Sequence, residues 1–192
     1  MTTLRRSQKL FRERLGDDRD RYRHVQGMLR VALRLSRIHG CDPLKAKIAC
    51  FLHDVAKNED ETTLQRTLAR TFGEPDPEDF PKPTWHALVA VVHAQELCGV
   101  EDPEILNAIK FHTTARPGMS LLEKVVYLAD YLEKGRAFVS DALRRLALRD
   151  LDKALCATIT EVTAFLKLSN QPVSRLTVAA LAYYNPNNGG IG

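Results

Sequence analysis

Residues 45–58, KAKIACFLHDVAKN, constrain the fold of this chain more than any other segment. Between Ile48 and Ala56 every position except His53 and Asp54 is apolar, so a helix formed here is apolar on all sides and must be buried. An ionised carboxylate in such surroundings is very costly unless a cation or a hydrogen-bonded partner neutralises it, and a neighbouring imidazole suits a transition metal. The segment therefore predicts a buried helix that carries a candidate metal site.

Signals for the start and end of helices recur along the whole chain. Aspartate followed by proline opens predicted helices at residues 42–43 and 102–103, and Ser120 with Glu123 forms a capping box. We find no hairpin signal, no useful alternating strand pattern, no internal repeat and no glycine-rich phosphate loop. The sequence therefore predicts an all-α fold in a single-domain helical bundle. The predicted helices cover residues 4–15, 17–39, 43–58, 60–72, 84–99, 103–113, 120–134, 141–148, 152–168 and 174–184.

Three segments are set apart by composition. Residues 1–16 form a highly basic first helix, which is either a solvated face or a surface that steers a polyphosphate or binds a partner. Residues 74–83, EPDPEDFPKP, contain four prolines and predict a surface loop, the best candidate for a mobile lid. The tail at residues 185–192 predicts disorder. We therefore expect a basic N-terminal helix at 1–16, one main domain at 17–184 and a disordered tail.

Composition excludes several classes of protein. The formal net charge of +4 and the pI of about 8.9 are compatible with a phosphorylated ligand but make nucleic acid an improbable partner. The four cysteines are isolated and form no CxxC motif, which is typical of a reduced, cytoplasmic protein. Neither a signal peptide nor an apolar run long enough for a membrane span is present, so we expect no membrane association.

Four further residues of metal-ligand type lie on apolar faces of other predicted helices. His24 is in line with the core-facing positions of its helix, His86 follows Trp85 in the first turn of another, and His112 and Asp130 end or interrupt apolar helices. Each alone is more often a satisfied structural residue. Together with His53 and Asp54, however, they make an ample ligand set for two metals in a helical bundle.

The order of these six residues resembles the HD-domain metal-dependent phosphohydrolases. The motifs RYRHV at residues 21–25, FLHDVAK at 51–57 and FHTTARPGMSLLEKVVYLADYLEKGR at 111–136 narrow the resemblance to the YqeK family, similar to bacterial symmetrical diadenosine tetraphosphate hydrolases. Similarity runs from about residue 21 to 155. The family usually has glycine where Ala115 stands and proline where Lys134 stands, and residues 138–143 look shortened, which affects the substrate rim rather than the metal ligands.

The resemblance implies a two-metal site, with iron as the family's metal, although ligand type alone also allows manganese, cobalt, nickel or zinc. It further implies that a hydroxide bridging the metals attacks a central phosphorus of diadenosine tetraphosphate and releases two molecules of ADP. The bridging, catalytic carboxylate would be that of Asp54. One ion would be held by His24, His53, Asp54 and Asp130, and the other by Asp54, His86 and His112.

Phosphate-binding side chains are expected around the metals. On a continued helix, Lys57 lies one turn beyond His53 and reaches a bound phosphate, in a substrate-binding and catalytic role. The alternative for Lys57 is an ordinary exposed lysine at a helix end, and the alternatives for the other contacts are solvated cations and ordinary helix caps. His93, roughly 10 Å along the helix axis from His86, is predicted to be structural. The expected substrate contacts are Lys57, Thr113, Thr114, Arg116 and Arg136.

The ligand set leaves other functions open. The chain could hydrolyse another nucleotide, because the metals do not fix the distance to a base pocket, or it could be a metal-stabilised, non-catalytic binding module. A di-iron oxygenase shares helical histidine and carboxylate ligands but has no second signal here. A purely structural metal site has no use for the cations Lys57, Arg116 and Arg136, which favours the phosphohydrolase. A homodimer is compatible with all of these readings.

Overall fold

The computed structural model describes residues 1–185, and within that range it contains ten α-helices, one short 3₁₀ helix and no strand. The all-α prediction is therefore confirmed. The predicted disordered tail, apart from Asn185, lies outside the described residues. The helices are α1 (Thr3–Leu15), α2 (Arg19–His39), α3 (Pro43–Leu52), α4 (Glu61–Thr71), α5 (Trp85–Cys98), α6 (Pro103–Lys110), α7 (Leu121–Leu132), α8 (Asp141–Ala147), α9 (Leu151–Leu168) and α10 (Arg175–Tyr184).

The buried helix predicted from the sequence is α3, and it lies at the centre of the bundle. It packs against α1, α2, α6 and α7, and its small residues Ala46, Ala49 and Cys50 are fully buried where these neighbours approach. Helix α5 is likewise apolar on nearly all faces and packs against α1, α4 and α6. Within residues 1–185 no helix is both long and apolar enough to cross a membrane.

Helix α3 ends at Leu52, whereas the sequence predicted a helix as far as residue 58. The Cys50 carbonyl, which would accept the next helical hydrogen bond, instead lies 2.8 Å from His53 Nδ1, and the chain continues in turns. Helix α6 ends early for the same reason, because the Ile109 carbonyl lies 2.7 Å from His112 Nδ1. The predicted C-terminal ends of α3 and α6 were wrong because each histidine bonds to a carbonyl in the last turn of the helix before it.

The basic helix α1 buries its apolar face against the rest of the bundle. Leu10, Phe11 and Leu15 are buried, and the ring of Phe11 lies 5.6 Å from the rings of both Tyr22 and Phe51. Several of its cations remain exposed on the opposite face. The division of the chain into a basic helix and a main domain stays a prediction, although α1 shares the packed interior.

The proline-rich loop at residues 74–83 is held by the start of α10, which argues against the expected mobile lid. The Arg175 side chain bonds three acidic residues of the loop at 2.8 to 2.9 Å, and its backbone N–H donates to the Glu78 carbonyl. The Ser174 hydroxyl donates to the Asp79 carbonyl at 2.6 Å. None of the loop residues lines the cavity described below.

Replacing Arg175 with Ala should increase proteolysis within residues 74–83 about fivefold. The side chain is 54% exposed, so solvent screens the three ion pairs and they hold the loop only modestly. Limited subtilisin digestion followed by mass spectrometry measures the rate. Lys153→Ala, which removes an exposed pair within the first turn of α9, is the matched control. Equal cleavage of wild type and the Arg175 variant would contradict the anchoring role.

Candidate metal centre and adjoining cavity

Four of the six predicted ligands are histidines whose rings form one row through the interior. The ring centroids of His24 and His53 are 5.9 Å apart, those of His53 and His112 are 4.9 Å apart, and those of His112 and His86 are 5.4 Å apart. The residues come from α2, from the turns after α3 and α6, and from the first turn of α5. Side chains distant in sequence therefore converge as predicted.

Asp54 lies beside this row, and its two carboxylate oxygens face different histidines. Oδ1 is 3.2 Å from His86 Nε2 and 3.5 Å from His112 Nε2, whereas Oδ2 is 3.5 Å from His53 Nε2. Burial alone would raise the pKa of Asp54, but the neighbouring imidazoles, which are positively charged and donate to the carboxylate when they are protonated, hold that pKa well below its usual range. The buried carboxylate is therefore ionised and needs positive charge nearby.

Asp130 of α7 occupies the other end of the row. Its Oδ1 lies 2.9 Å from His24 Nε2, and Arg136 Nη2 donates to the same oxygen at 2.9 Å. Glu133, which the sequence analysis missed, places Oε1 3.4 Å from His24 Nδ1. Glu133 packs against Gly27, where an added Cβ would lie 2.5 Å from Glu133 Oε2 and would displace that carboxylate. The α2–α7 contact is thus built around His24.

The donor atoms form two groups that are compact enough for metal ions. In each group the atoms lie within 4.8 Å of one another, judged over the part of the chain that the structure describes. The first contains His24, His53 and Asp130, and the second contains His53, Asp54 and His112. His86 lies outside both groups but is in contact with Asp54. The two groups share His53, so the sites they define are adjacent.

Three of the imidazoles are oriented in the same way by the backbone. The Nδ1 atoms of His53, His86 and His112 lie 2.7 to 3.0 Å from the carbonyl oxygen three residues earlier. A carbonyl only accepts hydrogen bonds, so Nδ1 carries the proton and Nε2 presents a lone pair to the carboxylate. Metal-bound histidines are typically held by such a bond from the other ring nitrogen.

His53 provides the clearest test of whether a metal fits. Its Nε2 is buried and has no hydrogen-bond partner among residues 1–185, and burial lowers the pKa of His53 to about 4. Burial also lowers the pKa of His86. A neutral imidazole whose lone pair faces a carboxylate oxygen at 3.5 Å lacks a positive charge between the two. Divalent metal would supply that charge, so the residues present fit a metal centre.

Arg21 is a second neighbour of the site that the sequence analysis missed. Its Nη1 donates to Asp54 Oδ2 at 2.6 Å, which gives that oxygen a cationic partner. Arg21 precedes His24 by three positions on α2, so both side chains leave the same helix face. That spacing is a signal from which the contact could have been predicted.

The predicted phosphate contacts next to the metal ligands differ in their surroundings. Lys57 Nζ lies 3.3 Å from His86 Nε2, and both Lys57 and Thr113 line the cavity beside the cluster. The Thr113 hydroxyl has no hydrogen-bond partner in the described part of the chain. The Thr114 hydroxyl, by contrast, donates to the Ala115 carbonyl at 2.9 Å in a residue only 1% exposed. This geometry corrects the assignment of Thr114 as a substrate contact.

Arg116 also departs from its predicted role. Its guanidinium bonds both carboxylate oxygens of Glu123, at 2.6 and 2.9 Å, and Arg116 does not line the cavity. Glu123 is 1% exposed, so the Arg116 cation is paired with a buried carboxylate and not with a candidate metal ligand. His93 lies 2.7 Å from Glu59 and belongs to neither donor group, in agreement with its predicted structural role.

A cavity of about 700 Å³ opens directly from the cluster. One end is polar and is formed by Lys57, His112, Thr113, Asp130 and Arg136, so two cations stand beside two of the candidate metal ligands. The other end is apolar and aromatic. It is lined by Tyr127, Tyr131, Phe138, Val162, Phe165 and Leu166. A ligand with a negatively charged end and a flat apolar body matches this division.

Divalent metal should stabilise the protein strongly. Manganese added to chelator-stripped protein at about 1,000 times its dissociation constant is expected to raise the free energy of unfolding by about 4 kcal/mol, because the unfolded chain lacks the site. Thermal denaturation at several metal concentrations measures this gain. The variant His112→Asn should lose it, whereas His93→Asn should keep it. Equal stabilisation of both variants would place the metal elsewhere.

The chain is similar to known proteins over most of its length. A family model described as HD domain matches residues 21–135. A protein of Bacillus subtilis named symmetrical bis(5'-nucleosyl)-tetraphosphatase is 42% identical over 80% of this chain and 83% of its own length. A protein of the same name from Halalkalibacterium halodurans is 36% identical over 83% of this chain and 86% of its own length.

A solved structure is also similar over nearly the whole chain. It is described as a predicted HD superfamily hydrolase involved in NAD metabolism from Clostridium acetobutylicum, with 36% identity and a TM-score of 0.86. The match covers 93% of this chain and 94% of that one. The family model spans more than half of the residues and includes all six predicted ligands. The chain therefore belongs to the HD-domain family and, within it, to the YqeK family.

Proposed function

We propose that the protein is a metal-dependent hydrolase that cleaves diadenosine tetraphosphate symmetrically into two molecules of ADP. The observation that carries this proposal is the row of four histidines and two aspartates, which opens into a cavity with cations at one end and aromatic rings at the other. The named activity of the two similar bacterial proteins supports the choice of substrate.

The proposed ligand sets follow the two faces of the Asp54 carboxylate. Oδ2 belongs with His53, and with His24 and Asp130 beyond it, while Oδ1 belongs with His86 and His112. This arrangement supports the bridging role of Asp54. When bound, a pair of divalent cations supplies a water of lowered pKa and neutralises negative charge on the phosphoryl oxygens.

Iron is the proposed metal. The donors are imidazole and carboxylate, a combination that suits iron but also manganese, cobalt, nickel and zinc. Cys50 is near the cluster in sequence, yet burial raises the pKa of its thiol, so it stays protonated and offers no thiolate. The choice of iron among the metals that fit therefore comes from the family resemblance.

The reaction needs one water and no nucleophilic side chain. A bond forms between the water oxygen and one central phosphorus, and the bond from that phosphorus to the oxygen bridging the two central phosphates breaks. The leaving ADP keeps the bridging oxygen, and the water loses its proton to solvent. Lys57 and Arg136 both line the cavity, which supports the proposal that they stabilise charge on the phosphates. Two cavity-lining cations favour a hydrolase over a non-catalytic metal-stabilised module.

Product identification tests the proposal most directly. Metal-loaded protein incubated with diadenosine tetraphosphate should give ADP as the sole nucleotide product, resolved by ion-exchange chromatography, and chelator-stripped protein should give none. AMP together with ATP would contradict symmetrical cleavage. Absence of any product, with hydrolysis of another nucleotide by the same preparation, would transfer the activity to that nucleotide. Elemental analysis of the same sample identifies the bound metal.

A further inference from the structure

The apolar end of the cavity is larger and more aromatic than phosphate hydrolysis at the metals requires. Tyr131 and Phe138 meet there with ring centroids 5.7 Å apart and an interplanar angle of 73°. The Tyr131 hydroxyl donates to Glu161 of α9 at 2.9 Å, which fixes its ring across the gap between α7 and α9. The wall is therefore held in place without a ligand.

Two phenylalanines at this end are unusually exposed. Phe138 is 67% exposed and Phe165 is 66% exposed, although both line the cavity. Large apolar side chains that cluster on a surface commonly mark a binding site. Flat aromatic faces bind another flat ring by stacking, and each stacked base contributes enough to change affinity by roughly 10- to 100-fold. The exposed rings are thus suited to a planar, apolar-faced ligand.

Tyr127 adds a polar group to the same end. It is 4% exposed and lines the cavity, but its hydroxyl bonds no residue within the described range 1–185. A buried phenol normally has a hydrogen-bond partner, because losing water without replacement is costly. Tyr127 lines the cavity, where a group on the ligand can bond its hydroxyl. An acyl chain has none to offer, whereas the edge of a nucleobase has several.

We propose that this aromatic arm binds one nucleobase of the substrate, and that Tyr127 is a specificity-determining residue whose hydroxyl bonds the base edge. The phosphates then extend from the arm toward Lys57 and Arg136 at the polar end of the same cavity. This inference rests on the proposed function in taking the ligand to be a nucleotide. It goes further in assigning the base to Tyr127, Tyr131, Phe138 and Phe165.

The test compares the binding of ADP with that of pyrophosphate, which lacks the base, to the metal-loaded protein by isothermal titration calorimetry. Phe165→Ala should weaken ADP binding about tenfold and leave pyrophosphate binding unchanged. Tyr127→Phe should weaken ADP binding about fivefold, change the ratio of ADP to GDP affinity, and leave the melting temperature unchanged, because the hydroxyl has no protein partner. Leu168→Ala, which removes an 87% exposed side chain at the end of the same helix as Phe165, is the control.

The outcomes distinguish failure of the proposed base site from failure of the proposed hydrolase activity. Loss of ADP and pyrophosphate binding in equal proportion, or unchanged ADP binding in both variants, would overturn the base site even if diadenosine tetraphosphate is hydrolysed. A changed oligomeric state of Phe165→Ala with unchanged ADP affinity would also overturn it, since the rim would then be a contact between copies. Selective loss of ADP binding without hydrolysis of diadenosine tetraphosphate would support the base site and contradict the proposed function.

Discussion

Asp54→Asn should lose bound metal and reduce kcat/KM for diadenosine tetraphosphate by at least about 1,000-fold. The amide keeps the shape of the side chain but removes the negative charge that faces His53 on one side and His86 and His112 on the other. Metal-based stabilisation of the transition state is worth several kcal/mol, and each 1.36 kcal/mol corresponds to a factor of ten. Losing one shared ligand therefore affects both ions at once.

The fold should survive this substitution. Asp54 lies two residues beyond the end of α3 and contributes to no helical hydrogen-bond ladder, so circular dichroism should report unchanged helicity. The exposed Asp20→Asn, whose side chain is 95% accessible, is the matched control for removal of one carboxylate. Elemental analysis and turnover are measured on the same samples. An Asp54→Asn protein that retains its metal and full activity would show that the carboxylate is needed neither for metal binding nor for catalysis.

The helices of this protein were predictable because capping residues in the sequence mark where they begin. Asp42, Asp102 and Ser120 each accept a hydrogen bond from a backbone N–H of the first turn that follows, as the sequence predicted. The errors in helix length came from histidines that bond a carbonyl of their own helix. These bonds hold the histidine rings in the cluster. Because the cluster exists only in the folded chain, the helix signals in the sequence do not reveal them.

The convergence of the candidate metal ligands was predictable for a different reason. Histidine and aspartate on apolar faces are costly alone, so six of them indicated a shared neutralising partner. Glu133 carries no such signal, because a glutamate near the end of a helix is an ordinary surface residue, and the only signal for Arg21 is its spacing of three residues from His24. Only the packing of α2 against α7 brings Glu133 to His24, and only the packing of α2 against α3 brings Arg21 to the buried Asp54.

The substrate contacts were the least predictable part of the site. Arg116 looked free in the sequence, but Glu123 belongs to the capping box and also accepts both bonds from Arg116. Ala115, where the family usually has glycine, adopts a positive φ of 58°, a left-handed conformation that costs about 1 kcal/mol for a residue with a Cβ. The turn after His112 therefore has a backbone conformation that favours glycine, with alanine in that position, and the adjacent Thr114 is buried.

Lys57→Ala should lower kcat about 100-fold while the metal content stays at the wild-type level. The Lys57 ammonium lies 3.3 Å from His86 Nε2 and lines the polar end of the cavity, so it can donate to a phosphoryl oxygen of the bound substrate. Removal of one donor that faces developing negative charge typically costs 10²- to 10³-fold in turnover. The amine carries no negative charge and occupies none of the donor groups, which is why the metals should remain.

A second Lys57 variant distinguishes the loss of the ammonium charge from the loss of side-chain volume. Lys57→Met keeps most of the side-chain volume and should lose as much turnover as Lys57→Ala, whereas Lys167→Ala, which truncates an exposed lysine on α9, should behave as wild type. Because the lost interaction strengthens in the transition state, kcat should fall more than KM rises. Wild-type turnover in both Lys57 variants would mean that the ammonium only packs on the His86 ring, and phosphate charge would then have to be stabilised by the metals and Arg136.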